Sequence, residues 1–341
     1  MAKKKKRDLG HEFADNELKK YERELKKQYG KAFLSMKKEA DKYFSKFDAQ
    51  QKNMLLKLDR GDITRQEFIS WYNKTVTQNH KYDEMVHTLA QELNHTNDMA
   101  RDMMTGHMAS IYAENSNRAG YEICKDVHAN LQFDLVDRRT VERLIKDGDS
   151  KLLPKPKHPN KQKDIRWNEK KIRSAINQGI IRGDSVDKIA TRLQHVTKMN
   201  REASVRTART LTTQAENTGR LDRWEEASEK YKIQMQKTWM AVLDDRTRDW
   251  HAELDGVSVD LDQPFENSVG EIMKPADPNA DPENIYNCRC TMITSIKGYP
   301  HDLSRRQMGK GIENLSYEQW KKEASERASE KKKKHDDEDD E

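Results

Sequence analysis

Cysteine is the scarcest side chain with reactive chemistry in this sequence, three in 341 residues. Cys124 stands alone, so there is no disulfide framework, and a reducing compartment fits that usage. Long apolar runs are missing as well. No stretch reaches the roughly 20 residues that a membrane-crossing helix needs. The basic N-terminus Lys3–Arg7 is not followed by the apolar segment of a secretory signal. A soluble protein with no membrane partner is expected. Apolar residues make up 34% of the chain and charged ones 36%. That is too lean for a thick globular core and suits long amphipathic helices. The glycine patterns of P-loops and dinucleotide folds, and the G-x-S-x-G elbow, are absent, which removes the commonest nucleotide and serine-hydrolase sites. A large excess of one charge is lacking too. The net charge is +5, the run Lys3–Arg7 alone supplies that amount, and the tail Lys331–Glu341 is net acidic. A high isoelectric point is therefore no argument for nucleic acid by itself.

What is present is helical periodicity. Leu18, Tyr21, Leu25, Tyr29, Ala32, Met36, Ala40, Tyr43 and Phe47 follow a 3.6-residue period. Gly61-Asp62 breaks it, and Thr64 with Glu67 reads as a capping box opening a second helix through Phe68, Trp71, Val76, Tyr82, Val86, Leu89, Leu93, Ala100 and Met103. The histidines and methionines between His80 and His107 could suggest a metal site, but a methionine-filled helix core with exposed histidines explains them more simply. Leu131–Leu135 alternates and suggests a short strand, with a helix from near Thr140. The Pro154–Pro159 stretch is a basic hinge that cannot be helix. Between Asp137 and Arg173 the chain is locally basic, a candidate contact for phosphate that a solvated linker explains equally well.

A further helical region runs from Trp167 to Tyr231, punctuated at Gly183-Asp184. Its last part gathers small residues, among them Ala208, Ala215 and Gly219, on one side, which allows another backbone to approach. Arg206, Arg209, Arg220 and Arg223 fall on an adjacent face with Glu216 among them. That row suits an acidic partner or DNA phosphates, or else intramolecular pairing. From Tyr231 the period changes to two, into Trp239. Asp244 can cap a short helix carrying Arg248 and His251, Asp255-Gly256 is a turn, and Val257, Val259 and Leu261 alternate again. A Pro-containing loop leads to Asn287-Cys288-Arg289-Cys290, followed by an extended stretch. Ser316 with Gln319 opens a last helix within a charged tail too poor in apolar residues for a domain of its own.

The fold class expected is mainly α, with long amphipathic helices followed by a small α+β module of short strands. The segments are a helical region at 1–150, a basic linker at 151–166, a module at 167–300 (helices 167–230, α+β part 231–300) and a helical tail at 301–341. Within the module, Cys288 and Cys290 at strand spacing could share one metal with His251, zinc being the candidate ion. Asp244, Asp245, Asp255 or water would be the fourth donor. The competing reading packs both cysteines as small hydrophobes, with His251 bonded to a carboxylate such as Asp255 and with Arg248 and Arg289 as ion-pair partners. A third reading follows His251-Ala252-Glu253 and two cysteines toward a zinc deaminase with Glu253 as proton shuttle. The cysteine spacing and the lack of a preceding proline depart from that signature.

The ordered series Trp239–Arg248, His251, Leu254-Asp255-Gly256, Pro264-Phe265, Pro278 and NCRC, preceded by Ala208-Arg209-Thr210 with Ala215, Asn217 and Gly219, resembles the phage Mu F-like head morphogenesis family. The likeness extends from about Asn168 to Thr294. Its signature positions here are Trp239, Asp245, Arg248, His251, Asp255, Gly256, Asn287, Cys288, Arg289 and Cys290. The resemblance implies a non-enzymatic minor head protein with portal, capsid or scaffold proteins as partners. Such a protein is made in the host cytoplasm and carried in the phage head, and it supports head assembly and genome packaging or ejection. The alternatives are a zinc-dependent hydrolase or deaminase acting on nucleic acid, and a DNA-binding packaging accessory using the basic segments. Some family members carry a fused toxin domain, for which the residues after Tyr299 are too few.

Overall fold

The computed structural model describes residues 8–148, 153, 161–182, 184, 186–297, 312 and 315–339. The basic run Lys3–Arg7 and the hinge Pro154–Pro159 lie outside them. The protein is mainly helical: α1 (Leu9–Phe44), α2 (Asp48–Asp59), α3 (Arg65–Tyr72), α4 (His80–Asp126), α5 (Arg138–Asp147), α6 (Lys161–Arg182) and α7 (Val186–Tyr231) precede the strands. Then come β1 (Met235–Met240), α8 (Asp249–Ala252), β2 (Ser258–Asp260), β3 (Phe265–Asn267), β4 (Gly270–Ile272), α9 (Pro282–Ile285), β5 (Thr291–Ile296) and α10 (Tyr317–Asp339). The expectation of long helices followed by short strands is met. Among the described residues no helix is long and apolar enough to cross a membrane.

Two compact units divide the chain, and neither is one continuous segment. One comprises Met1–Lys20, Met104–Pro156 and Arg206–Glu341, the other Tyr21–Met103 and Lys157–Val205. The boundaries fall inside α1, α4 and α7, each of which contributes to both.

The second unit is an all-helical bundle whose core takes Met36, Ala40, Tyr43 and Phe44 from α1, Phe68 and Tyr72 from α3, Val86, Leu89 and Leu93 from α4, Ile172 and Ile176 from α6, and Leu193 and Val196 from α7. The capping box opening α3 forms as the sequence suggests, with Thr64 and Glu67 each bonding the other's backbone N–H. The histidine- and methionine-rich stretch is ordinary helix: Met85 is buried, and His80 and His87 pair on the surface with Glu84 and Glu169. A chain of amides crosses the bundle. Tyr29 donates to Asn97 (2.5 Å), Asn97 to Asn200 (3.0 Å), Asn200 to Asn168 (3.0 Å) and Asn168 to Asn94 (2.9 Å). Asn94, Asn168 and Asn200 are buried. An amide buried without its partner is costly, so this chain fixes one register among four helices where apolar packing would tolerate several.

The first unit holds the strands. Its sheet has the order β2-β1-β5 and is antiparallel throughout, with Thr238 opposite both Ser258 and Ile293, and Trp239 opposite Met292. The Pro-containing loop expected after β2 contains a hairpin, β3 with β4, and the single turn of α9. Alternation along β1 buries Met235, Lys237 and Trp239. Lys237 is fully buried, its amine donating to the carbonyls of Leu261 (2.9 Å) and Met273 (3.0 Å), and burial without a contacting carboxylate lowers its pKa to about 8. The charged tail is also more than a tail. Tyr317, Trp320 and Ala324 of α10 are buried in this unit, and Tyr121 donates to the Leu315 carbonyl at 2.7 Å.

Leu131–Leu135 forms no strand. Its own backbone makes short-range bonds, from the Leu131 N–H to the Ala129 carbonyl and from the Phe133 N–H to the Leu131 carbonyl, and helix side chains add to them: Asn117 of α4 bonds both polar backbone groups of Val136, while Arg223 and Tyr231 of α7 donate to the carbonyls of Asp134 and Gln132. Phe133 anchors it in the core under the Arg223 guanidinium. Alternation marks an extended backbone and says nothing about whether another strand will pair with it.

The small-residue side of α7 meets the backbone of α4. A Cβ at Gly219 would lie 2.5 Å from the Tyr112 carbonyl oxygen. Alanine favours a helix over glycine by about 1 kcal/mol, but displacing packed backbone costs about 1–3 kcal/mol. Gly219→Ala is therefore expected to lower the unfolding midpoint in thermal or urea denaturation, and a raised midpoint would show that the helices separate without cost.

Candidate functional site

The segment Asn287–Cys290 and the strand that follows it lie along α7, and one face of that helix serves their backbone. Thr210 accepts from the Asn287 N–H at 3.0 Å. Thr213 donates to the Cys288 carbonyl at 2.6 Å, Asn217 to the Cys290 carbonyl at 3.3 Å, and Arg220 to the Met292 carbonyl at 2.8 Å. Residues 210, 213, 217 and 220 fall within an arc of about 80° at 100° per residue. They act as the missing neighbour strand. Every second carbonyl of the edge receives a side-chain donor, which satisfies polar groups that burial would otherwise leave stranded.

The other side of this segment faces α8. Asn287, in the left-handed region at φ 55°, turns the chain after α9, and Arg248 donates to the Tyr286 carbonyl just before it. Strand spacing then sends both sulfurs inward and the Arg289 side chain out, where it grips Asp244 with two bonds of 2.7 and 2.6 Å. That bidentate pair holds the Asp244 carboxyl well below the usual range. Asp244 does not cap α8. It closes the turn before it, accepting from the Arg246 N–H, and Arg248 holds the cap position of α8. The shift places His251 in the first turn of a four-residue helix rather than late in a longer one.

His251, Cys288 and Cys290 are 2, 2 and 3% exposed. Nδ1 of His251 lies 3.6 Å from the Cys288 sulfur and 3.5 Å from the Cys290 sulfur. The three donor atoms all lie within 4.8 Å of one another, so the group could hold a metal ion such as zinc. Trp239 packs edge-on against the imidazole at 5.5 Å and against Phe265 at 5.3 Å, closing the apolar side. The sulfurs divide their protons unequally. Burial and the neighbouring Cys290 sulfur push Cys288 up, while the bond from Cys288, helped by His251 and the Val242 N–H, pulls Cys290 down.

Several expectations change here. His251 faces the sulfurs and not Asp255, whose carboxylate instead accepts from the Ala241 N–H at 2.9 Å. Asp244, Asp245 and Asp255, the candidate fourth donors, do not join the group, and all three are exposed. Glu253 is exposed too and does not join the buried trio. Arg289 is an ion-pair partner as expected, whereas Arg248 serves a carbonyl. Gly256, at φ 80°, makes the turn and donates to the Trp239 carbonyl.

The arginine row does not survive as a surface. Arg206 is exposed and Arg209 half-buried, but Arg220 and Arg223 are buried. Arg220 binds Asp8 (2.8 and 2.6 Å), Asn115 (3.1 Å) and Glu216 (3.2 Å) besides the Met292 carbonyl. Glu216 in turn accepts from Thr291 (2.7 Å) and lies 3.0 Å from His11. Two cations, Arg220 and His11, thus face two anions, Asp8 and Glu216, at the β5 end of the stitched face. Arg223 is taken up by Ser116, Glu226 and the Asp134 carbonyl. The sequence offered one signal for this network, the acid Glu216 amid the arginines. Asp8 and His11, some two hundred residues away, gave none.

The Glu216 carboxylate raises the pKa of His11 from 6.5 to about 9, with Asp15 and Asp8 adding to it. A raised folded-state pKa means stabilisation that is complete below about pH 6.5 and is lost as pH climbs through about 9, on the order of 3 kcal/mol in all. His11→Gln is expected to flatten the fall of the thermal midpoint between those limits. An unchanged pH profile would mean that the contact contributes nothing.

The minor head protein GP7 of Bacillus phage SPP1 is 26% identical over 309 residues, covering 88% of this chain and 96% of that protein. NAD(+)–arginine ADP-ribosyltransferase EFV of Enterococcus faecalis (strain ATCC 700802 / V583) is 30% identical over 150 residues, which is 44% of this chain and 30% of that protein. No solved structure matches. Residues 170–293, which contain the stitched face of α7, the buried trio and the sheet up to the first half of β5, match the family described as Phage Mu protein F like protein. Residues 170–293 thus carry a Phage Mu F-like domain, in a chain similar over most of its length to a phage minor head protein.

Proposed function

We propose that this chain is a non-enzymatic structural component of the phage head, associating with the portal and with capsid or scaffold proteins during assembly in the host cell. The observation that carries the reading is the near end-to-end correspondence with a protein named as a minor head protein, over 88% of this chain and 96% of that one. The architecture supports it. The conspicuous polar residues of the module are committed to holding an edge strand and a turn in place, as in a part built for shape. In the same reading residues 167–300 are the family module, 1–150 the helical region before it, 151–166 a linker and 301–341 a charged tail.

A hydrolase or deaminase reading needs Glu253 beside the thiolates and a route for substrate to the donor atoms. Glu253 is exposed and all three donors are buried. The partial likeness to an ADP-ribosyltransferase spans less than a third of that enzyme, and its named activity stays with that protein. A DNA-packaging role would rest on exposed cations such as Arg206, since Arg220 and Arg223 are spent inside.

The test is co-purification. The chain, expressed with its portal protein, is expected to elute with portal oligomers, and mass spectrometry is expected to find it in purified particles. Its absence from particles whose other head proteins are all detected would overturn the reading. DNA affinity that falls steeply with salt would add the packaging role.

A further inference from the structure

We propose that His251, Cys288 and Cys290 bind one zinc ion per chain, as a sealed structural clasp joining α8 to the strand edge that α7 holds. Distances carry the argument. An ion about 2.05 Å from an imidazole nitrogen and about 2.3 Å from a thiolate sets nitrogen and sulfur about 3.6 Å apart when the angle is tetrahedral. A right angle would set them about 3.1 Å apart, and a planar trigonal site about 3.8 Å. The observed separations are 3.6 and 3.5 Å. One nitrogen is equidistant from two sulfurs, whereas a neutral imidazole has a single Nδ1 proton to give. A hydrogen bond accounts for one of these contacts and a shared ion for both.

The chemistry of the set points to the same ion. Two sulfurs and an imidazole select a borderline-soft cation, and carboxylates that would favour magnesium or calcium are absent from the group. The Val242 N–H already donates to the Cys290 sulfur. The backbone carbonyls of both cysteines are fixed by Thr213 and Asn217. The donors are therefore held in position by contacts that do not involve the ion, so binding costs little reorganisation.

Two protein sulfurs, one nitrogen and a fourth position without a protein donor among the described residues make a set that open catalytic zinc sites also use. Burial decides the role here. With each donor at most 3% exposed and Trp239 closing the side, a substrate has no route to the fourth position. Nε2 of His251 is buried without a hydrogen-bond partner. The outer-shell acceptor that usually strengthens a zinc-bound histidine is thus missing, and the site is weaker than a fully buttressed one.

The experiment uses the full chain, purified under reducing conditions without chelator, and measures zinc by native mass spectrometry. The metal-free chain is then titrated with cobalt(II). One zinc per chain is expected, together with the absorption of a tetrahedral cobalt–thiolate site. Removing the zinc is expected to lower the thermal midpoint, and restoring it to reverse the loss. Cys288→Ser/Cys290→Ser and His251→Gln are expected to lose the ion. Glu253→Gln, at an exposed side chain outside the donor group, is expected to keep it. A folded wild-type chain that takes up neither zinc nor cobalt overturns the proposal. So does zinc retained by the double serine variant, or a cobalt spectrum without thiolate absorption.

Discussion

The arrangement on which the rest of the first unit depends is the use of helix side chains as a substitute for a β-strand. Thr210, Thr213, Asn217 and Arg220 bond the backbone from Asn287 to Met292. An unpaired sheet edge is either solvated or open to pairing with a foreign strand. Here it is buried against α7 and still satisfied. The same device holds the extended segment before α5, through Asn117, Arg223 and Tyr231. Among the described residues the unit has one three-stranded sheet and one short hairpin, and a hairpin of that size needs packing against other elements to be stable. Its long helices supply both the apolar face and the polar partners.

This device accounts for the placement of the charges. Arg220 reaches the Met292 carbonyl only from inside the protein, so its guanidinium must be buried. A buried charge is tolerated when its attraction to partners and its hydrogen bonds offset the lost hydration. Asp8 and Glu216 provide that, and His11 balances the second carboxylate. The start of α1 is thus tied to the strand edge by charge neutrality as much as by packing. Lys237 is the opposite case. It is buried against two carbonyls and the Phe265 ring with no contacting carboxylate, and burial lowers its pKa to about 8.

Much of the helical architecture was legible because its causes are local. The 3.6-residue stripe of α1, the break at Gly61, the capping box at Thr64 and Glu67, the break at Gly183-Asp184 and the Ser316–Gln319 cap all rest on residues within a turn or two of one another. The small residues of α7 likewise announced a close approach, which occurs at Gly219. Strand spacing put both sulfurs of NCRC on one side, and the pairing of Arg289 with an acid was foreseen. What could not be read were the contacts made across the fold. Alternation at Leu131–Leu135 looked like a strand because extended backbone has the same period whatever bonds it. The row from Arg206 to Arg223 looked like a surface because a helical wheel shows which residues share a face, but not what covers it.

The sequence by itself determined the helical character, the break at Gly61, the caps at Thr64 and Ser316, the small-residue face of α7, the inward spacing of Cys288 and Cys290, and a likeness to one phage family, but not the interruptions at Ser45–Phe47 and between Tyr72 and His80. Each of these follows from propensity, period or short-range hydrogen bonding, which act over a few residues. Only the tertiary structure decided that His251 meets the two sulfurs, that Asp255 and Glu253 do not, that Asp8 and His11 join Glu216 and Arg220, and that four amides from three helices bond end to end. Those outcomes depend on which distant groups burial brings together. Burial makes every polar atom find a partner or bear a penalty, and that choice is settled by the whole fold at once.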